Sequence, residues 1–283
     1  MVRVLLLPLP LLAACSDKGD DSGAAADPLV TSFQLHWWAD PEPATANQES
    51  EIFFQILDQD GAPVENLQQN HERMAHMVFI SGDLSSFEHK HHEDYAAITA
   101  DDLRSSTFHV PEAFPYSGTF LLAIDFAYAN TYQQLSDTLD VEGDVPQLEA
   151  PVEDLSTTVS VDGVTADFSW EISPYAGLES VLWVHLTDED GADITDLVQW
   201  LGADAHLVMV KEDLTGLAHT HAYVDGMDSL PPDHSMPQEW TGPDLPFHVT
   251  LPYPGVYKSW LQFTREGAPD TPVTVPFMFE VSP

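Results

Sequence analysis

Apolar and polar positions alternate along this chain in short runs, rich in β-branched and aromatic residues, that are separated by Gly, Pro, Asn and Asp, and no long stretch has helical spacing. That period predicts strands, because successive side chains of a strand point to opposite faces. Ile52 to Leu57 leads into Asp58-Gln59-Asp60-Gly61, and Val181 to Leu186 leads into Asp188-Glu189-Asp190-Gly191, 130 residues later. An Asp-Gly pair between apolar runs signals a hairpin turn, because glycine accepts the positive φ needed there. Calcium binding by these acidic turns is the sharper alternative, but the distant glutamate of an EF-hand loop is missing. Farther on, Phe114-Pro115-Tyr116-Ser117-Gly118 and Leu251-Pro252-Tyr253-Pro254-Gly255 each feed an apolar run, Phe120 to Phe126 and Tyr257 to Phe263. Ile194 to Leu201, aligned with Val64 to His71, is the one stretch that suggests a helical turn.

The recurrence is an internal duplication. Ala75 to His91 reads AHMVFISGDLSSFEHKH and Ala205 to His221 reads AHLVMVKEDLTGLAHTH, with seven of seventeen positions identical. The duplication divides the chain into a first repeat at 29–141, a proline-containing acidic linker at 142–154 and a second repeat at 155–283. Many short strands with regular turns predict an all-β chain of two tandem immunoglobulin-like antiparallel β-sandwich domains.

Three histidines recur with the duplication: His76, His89 and His91 become His206, His219 and His221. Folding either segment as a hairpin about Gly82-Asp83-Leu84 or Glu212-Asp213-Leu214 sets the first histidine across from the His-x-His pair. Residues i and i+2 of a strand share a face, and opposite positions lie about 4.5–5.5 Å apart at Cβ. Three neutral imidazoles then converge beside Phe87 or Leu217, a donor set suited to copper or zinc at one site per repeat. A metal site requires ring nitrogens within roughly 3–4 Å of one another, with an acceptor behind at least one ring. His109 and His248, each in a Phe-His-Val triplet, are further candidate ligands from another strand. His71, His92, Glu93, His234 and Met236 are not shared between repeats and read as solvated loop groups, while Met74 and Met77 read as core. The competing view is that the histidines pack structurally and that duplication merely copied them.

Composition narrows the setting. With 8 basic against 47 acidic residues and a formal charge of −39, the chain should be repelled by nucleic acid and anionic head groups. Hydrophobic content of 43% is enough to build cores. Residues 1–14 carry Arg3 and an apolar run from Val4 to Leu12, the pattern of a signal peptide. Leu12-Ala13-Ala14-Cys15 resembles the bacterial lipobox, which implies cleavage before Cys15 and its lipidation. Cys15 is the single cysteine, so the exported domains hold no disulfide. Residues 15–28 read as a flexible acidic tether, and Ser16 after the cysteine leans toward the outer membrane or the cell surface.

The histidine segment, with its later Pro-x-x-Gly-x-aromatic turn, resembles the YtkA-like domains of exported bacterial proteins, often associated with handling of copper or other heavy metals. The likeness rests on His76, Asp83-Leu84-Ser85, His89 and His91, and on His206, Asp213-Leu214-Thr215, His219 and His221. In that family a proline commonly follows His-x-His, whereas this chain has His92 and Ala222. The resemblance implies a β-sandwich and metal binding, with no reaction attached. A metallohydrolase would need a carboxylate base repeated in both halves, and there is no Gly-x-Ser-x-Gly elbow or phosphate-cradling loop. The expectation is therefore not an enzyme but a lipid-anchored extracytoplasmic copper or zinc buffer or donor with a periplasmic or surface partner. The alternative is a structural or adhesive surface module.

Overall fold

A computed structural model describes residues 30–69, 72–222 and 241–283. The leader, Cys15 and the tether lie outside the described residues, as do His71, His234 and Met236. The first repeat forms strands β1 (Phe33–Asp40), β2 (Ser50–Asp58), β3 (Ala75–Ser81), β4 (Phe87–Lys90), β5 (Thr107–Glu112), β6 (Gly118–Tyr128) and β7 (Thr131–Val141), with a short helix α1 (Ala100–Ser105) before β5. The second forms β8 (Thr158–Val161), β9 (Val164–Trp170), β10 (Glu179–Asp188), β11 (Leu197–Val198), β12 (His206–Lys211), β13 (Leu217–His221), β14 (Asp244–Thr250), β15 (Gly255–Arg265) and β16 (Ala268–Val281).

Each repeat is an immunoglobulin-like sandwich of two antiparallel sheets. In the first, β1-β2-β5 faces β4-β3-β6-β7; in the second, β14-β10-β9-β8 faces a sheet in which β15 pairs with β12, β11 and β16, and β12 with β13. Strict alternation builds the cores: Ile52, Phe54 and Ile56 of β2 point inward against Met77 and Phe79 of β3, and Leu182, Val184 and Leu186 of β10 against Leu207 and Met209 of β12. The turns after β2 and β10 match the plain-turn expectation. Asp58 Oδ1 accepts from the N–H groups of Asp60 and Ala62 at 2.8 and 2.9 Å, and Asp188 does the same for Asp190 and Ala192 at 3.0 and 2.9 Å. Gly61 and Gly191 sit at φ 81° and 78°, which side chains with a Cβ rarely adopt.

The suggested helical turn is absent. Leu197 and Val198 instead pair with Arg265 and Thr264 of β15, and in the first repeat Val64 and Gln68 donate to Ile56 O and Ala127 O at 3.1 and 2.9 Å. Neighbouring strands thus take the N–H groups that a helix would have used. The linker begins docked on the first sandwich, where Ser117 N–H donates to Val145 O at 2.6 Å and Gln147 Nε2 to Thr119 O at 2.7 Å.

β3 is buried along its whole length, and β12 is buried except at Lys211. Their inner faces fill their own cores, so their outer faces must be covered by something else. Each covers the other: Val78, Ile80, Leu84, Leu121 and Ala123 pack against Val208, Val210 and Trp260 in a third apolar cluster between the sandwiches. The Phe87 ring stacks on Trp260 with centroids 4.7 Å apart and planes at 10°. At roughly 1.5–3 kcal/mol per fully buried side chain, this layer joins the repeats firmly. The six duplicated histidines lie at its edge.

Candidate metal centre

The histidines are positioned by two hairpins. In β3–β4, Ile80 pairs with Phe87, Val78 with His89 and Met77 with Lys90, so His76 lies opposite His91 one residue farther on. In β12–β13, Val208 pairs with His219 and His206 with His221. Each turn holds a leucine, Leu84 or Leu214, at φ 62°. The aspartate before it accepts from the backbone two residues on, Asp83 from Ser85 at 3.0 Å and Asp213 from Thr215 at 3.1 Å. This local bond is what the Asp-Leu-Ser/Thr motif supplies.

His76 Nδ1, His89 Nε2 and His91 Nε2 form a triangle with edges of 3.2, 3.2 and 3.0 Å. In the second repeat His206 Nδ1 and His219 Nε2 are 3.3 Å apart, and the His221 centroid lies 4.6 Å from those of both. The expectation of one cluster per repeat holds only in part, because the two triads meet. His89 and His219 have centroids 4.9 Å apart, His76 and His219 5.3 Å, and His89 and His206 5.4 Å. One donor nitrogen from each of His76, His89, His206 and His219 lies within 4.8 Å of the other three.

The outward nitrogens are held by groups that only accept. His91 Nδ1 is 2.8 Å from Asp94 Oδ2 and His206 Nε2 is 3.0 Å from Trp200 O. Two of these contacts cross between repeats: His89 Nδ1 to Gln262 Oε1 at 3.2 Å and His219 Nδ1 to Asp125 Oδ2 at 2.8 Å. Gln262 Nε2 donates to Thr274 Oγ1, which fixes its oxygen toward His89. Asp125 and Gln262 occupy equivalent places, opposite His76 and His206 on the neighbouring strand. Since carboxylates and carbonyls cannot donate, the protons of these neutral rings sit outward. The inward nitrogens of His89, His91, His206 and His219 therefore present lone pairs to the cluster.

Burial, and then repulsion from the neighbouring rings, holds His76 and His89 well below the ordinary histidine value of 6.5. Burial also lowers His91, against the opposing pull of Asp94. The neutral state is the one that ligates metal. It also has a consequence for stability, because below 6.5 the unfolded chain binds protons that the fold refuses. Metal-free protein will hold its stability above pH 6.5 and lose it progressively as pH falls through the interval below. Asp204, pushed up to about 6 by burial, has the opposite slope, as do Glu88, raised by burial, and His185, raised by its hydrogen bond to Asp244, but the burial of His76 and His89 among other rings outweighs them. Denaturation midpoints between pH 5 and 8 check this, and a midpoint that rises on acidification contradicts it.

Ligands about 2.0–2.1 Å from one zinc or copper ion at angles between 90° and 109° stand roughly 2.9–3.4 Å apart. The first triad has those edges, so the spacing of its nitrogens matches the ligands of one such ion. His109 and His248 do not join either triad. Both point outward from the opposite sheet of their sandwich, His109 toward Glu51 and His248 toward Glu179, because Phe108, Val110, Phe247 and Val249 take the inward positions. His92 is not solvated as expected: it is buried, with its ring 4.3 Å from that of His109. Glu93 is half-buried and accepts the Met74 N–H at 2.7 Å. Asp94, Asp125, Trp200 and Gln262 are absent from the sequence reading. Asp94 was accessible as a carboxylate three residues after His91, and Trp200 lies six residues before His206, whereas Asp125 and Gln262 required the pairing of distant strands.

Two stretches of the chain, residues 32–143 and 158–283, match the family described as a domain of unknown function, DUF8832. The chain belongs to that family. The two DUF8832 stretches coincide with the two sandwiches, and no curated protein matches the chain. Among solved structures, the DUF8832 chain is similar to the Yersinia pseudotuberculosis adhesin InvE at 14% identity, over 88% of this chain and 59% of that one, with a TM-score of 0.23. It is similar to invasin, a bacterial integrin-binding protein, at 13% identity over 87% and 39% with a TM-score of 0.23. It is also similar to a Salmonella alpha-2-macroglobulin at 9% identity over 90% and 16% with a TM-score of 0.28. This chain therefore spans 59% or less of the length of each. No helix among the described residues is long and apolar enough to cross a membrane.

Proposed function

We propose that this is a lipid-anchored extracytoplasmic protein that binds copper or zinc in the histidine cluster between its sandwiches, as a buffer or as a donor to a periplasmic or surface partner. The observation that carries this reading is the triangle of His76, His89 and His91 nitrogens, 3.0–3.2 Å on edge. The outward nitrogens of His89 and His91 are committed to Gln262 and Asp94. The lone pairs of His89 and His91 therefore face each other 3.2 Å apart, an arrangement that a bound cation stabilises, and copper and zinc both accept imidazole. The likeness of both hairpins to YtkA-like domains supports the same reading, and the lipobox at Cys15 supports the anchor at an outer membrane or cell surface. The net charge of −39 argues against nucleic acid and favours cations near the surface. Asp94 and Asp125, the carboxylates beside the centre among the described residues, each hold a histidine ring, so binding rather than catalysis is proposed.

Calorimetric titration with copper or zinc, together with elemental analysis, tests this on the purified chain and on a variant carrying His89→Ala, His91→Ala, His219→Ala and His221→Ala. Two equivalents bound by the parent and lost in the variant are expected. Equal weak binding by both, as an acidic surface alone would give, favours the structural or adhesive module, in which the rings merely pack.

A further inference from the structure

We infer that the cluster is a paired-ion centre, in which each triad holds one divalent ion and the two ions share a single oxygen ligand, such as hydroxide, in the gap between repeats. The inference rests on the metal-binding reading above and specifies what that site takes. A triad supplies three ligands, one short of the tetrahedral set that zinc prefers. Within a repeat the nitrogens of His76, His89 and His91 stand 3.0–3.2 Å apart and those of His206 and His219 3.3 Å, the spacing of ligands on one ion, and the His221 ring lies beside the latter two. Across the repeats one nitrogen from each of His76, His89, His206 and His219 lies within 4.8 Å of the other three, so the two triads adjoin. Six imidazoles exceed the four ligands that zinc takes, so the cluster suits two ions at about the 3.5–4 Å of paired-metal sites.

Charge supplies the bridging ligand. The six rings are neutral as ligands, so nothing within the cluster offsets the repulsion between two dications. Asp94 and Asp125 lie behind His91 and His219, on the outside. An anion in the gap lies between both ions and completes both coordination shells at once. The exchanged acceptors tie the two halves together: Gln262 of the second repeat orients a ligand of the first, and Asp125 of the first orients a ligand of the second. Trp200 closes one side, its ring 5.1 Å from His206 and 6.1 Å from His89.

Copper(II) is the probe. The purified chain is loaded with copper(II), its copper content is measured by elemental analysis, and its electron paramagnetic resonance signal is integrated. Two ions per chain are expected, with an intensity far below that of two independent spins, because exchange through a shared oxygen pairs the electrons. A variant carrying His206→Ala, His219→Ala and His221→Ala is expected to bind one ion at full single-spin intensity, so that halving the copper raises the signal. The reciprocal variant, His76→Ala, His89→Ala and His91→Ala, gives the same result from the other side. Circular dichroism identifies a variant that fails to fold, in which case the parent's intensity per copper still decides. Two ions at the full intensity of two spins, or a single ion in the parent, overturn the pairing and leave the metal-binding reading standing. No copper in the parent overturns both.

Discussion

Trp260→Ala is expected to destabilise the protein by roughly 3–5 kcal/mol, the range for removing a buried Trp or Phe, and to separate the unfolding of the two sandwiches. Trp260 is 5% exposed, stacks on Phe87 and sits in the apolar layer shared by β3, β6, β12 and β15. Removing the indole leaves a cavity in the apolar layer between the two sheets. Each sandwich keeps its own core, so the loss falls on their coupling. Calorimetry on metal-free protein should show one transition in the parent resolve into two in the variant. Trp183→Ala is the control: the same residue type, 42% exposed on the outer face of β10, should change stability by no more than about 0.5 kcal/mol. Similar losses for both tryptophans contradict the assignment of the layer.

His76→Ala is expected to lower metal affinity beyond the 10–100-fold, typically, that loss of an outer-shell partner costs. His76 is fully buried, and its ring approaches both triads, with centroids 4.7 Å from His91 and 5.3 Å from His219. Asp94→Asn leaves every ligand in place but weakens the hold on His91 Nδ1, so its expected loss is about 10–100-fold. His109→Ala, across the sandwich and engaged with Glu51, should leave affinity unchanged. Competition with a chelator of known affinity ranks the three variants. If His109→Ala proves as costly as His76→Ala, the ligand assignment is wrong.

Much of the fold and part of the centre could be read in the amino-acid sequence, for local reasons. The period-two pattern placed β2, β6, β10 and β15, and the hairpin midpoint near residue 83.5 agrees with the observed pairing of Val78 with His89. His109 and His248 were misjudged although the same alternation applied: Phe108 and Val110 face the core, so the residue between them must face away. The helical turn at Ile194–Leu201 failed because the end of β15 offers an unpaired edge, which apolar spacing does not reveal. The meeting of the triads did leave a trace, since AHMVFIS and AHLVMVK run apolar on both faces, and a strand apolar on both faces requires a covering on each side. What covers it depends on surface complementarity between segments more than a hundred residues apart, which no local pattern encodes.

Trp260 has as its counterpart in the first repeat Ala123, since Val208 pairs with Trp260 where Val78 pairs with Ala123. A homodimer of single sandwiches would have to be isologous, presenting one self-complementary patch twice. Two tryptophans would compete for the same space and two alanines would leave a void. Joining two copies in one polypeptide lifts that constraint, so one repeat supplies the bulk and the other the room for it. The two halves have thereby become non-interchangeable, and a chain built from two copies of either repeat would lack the fit that holds this one closed.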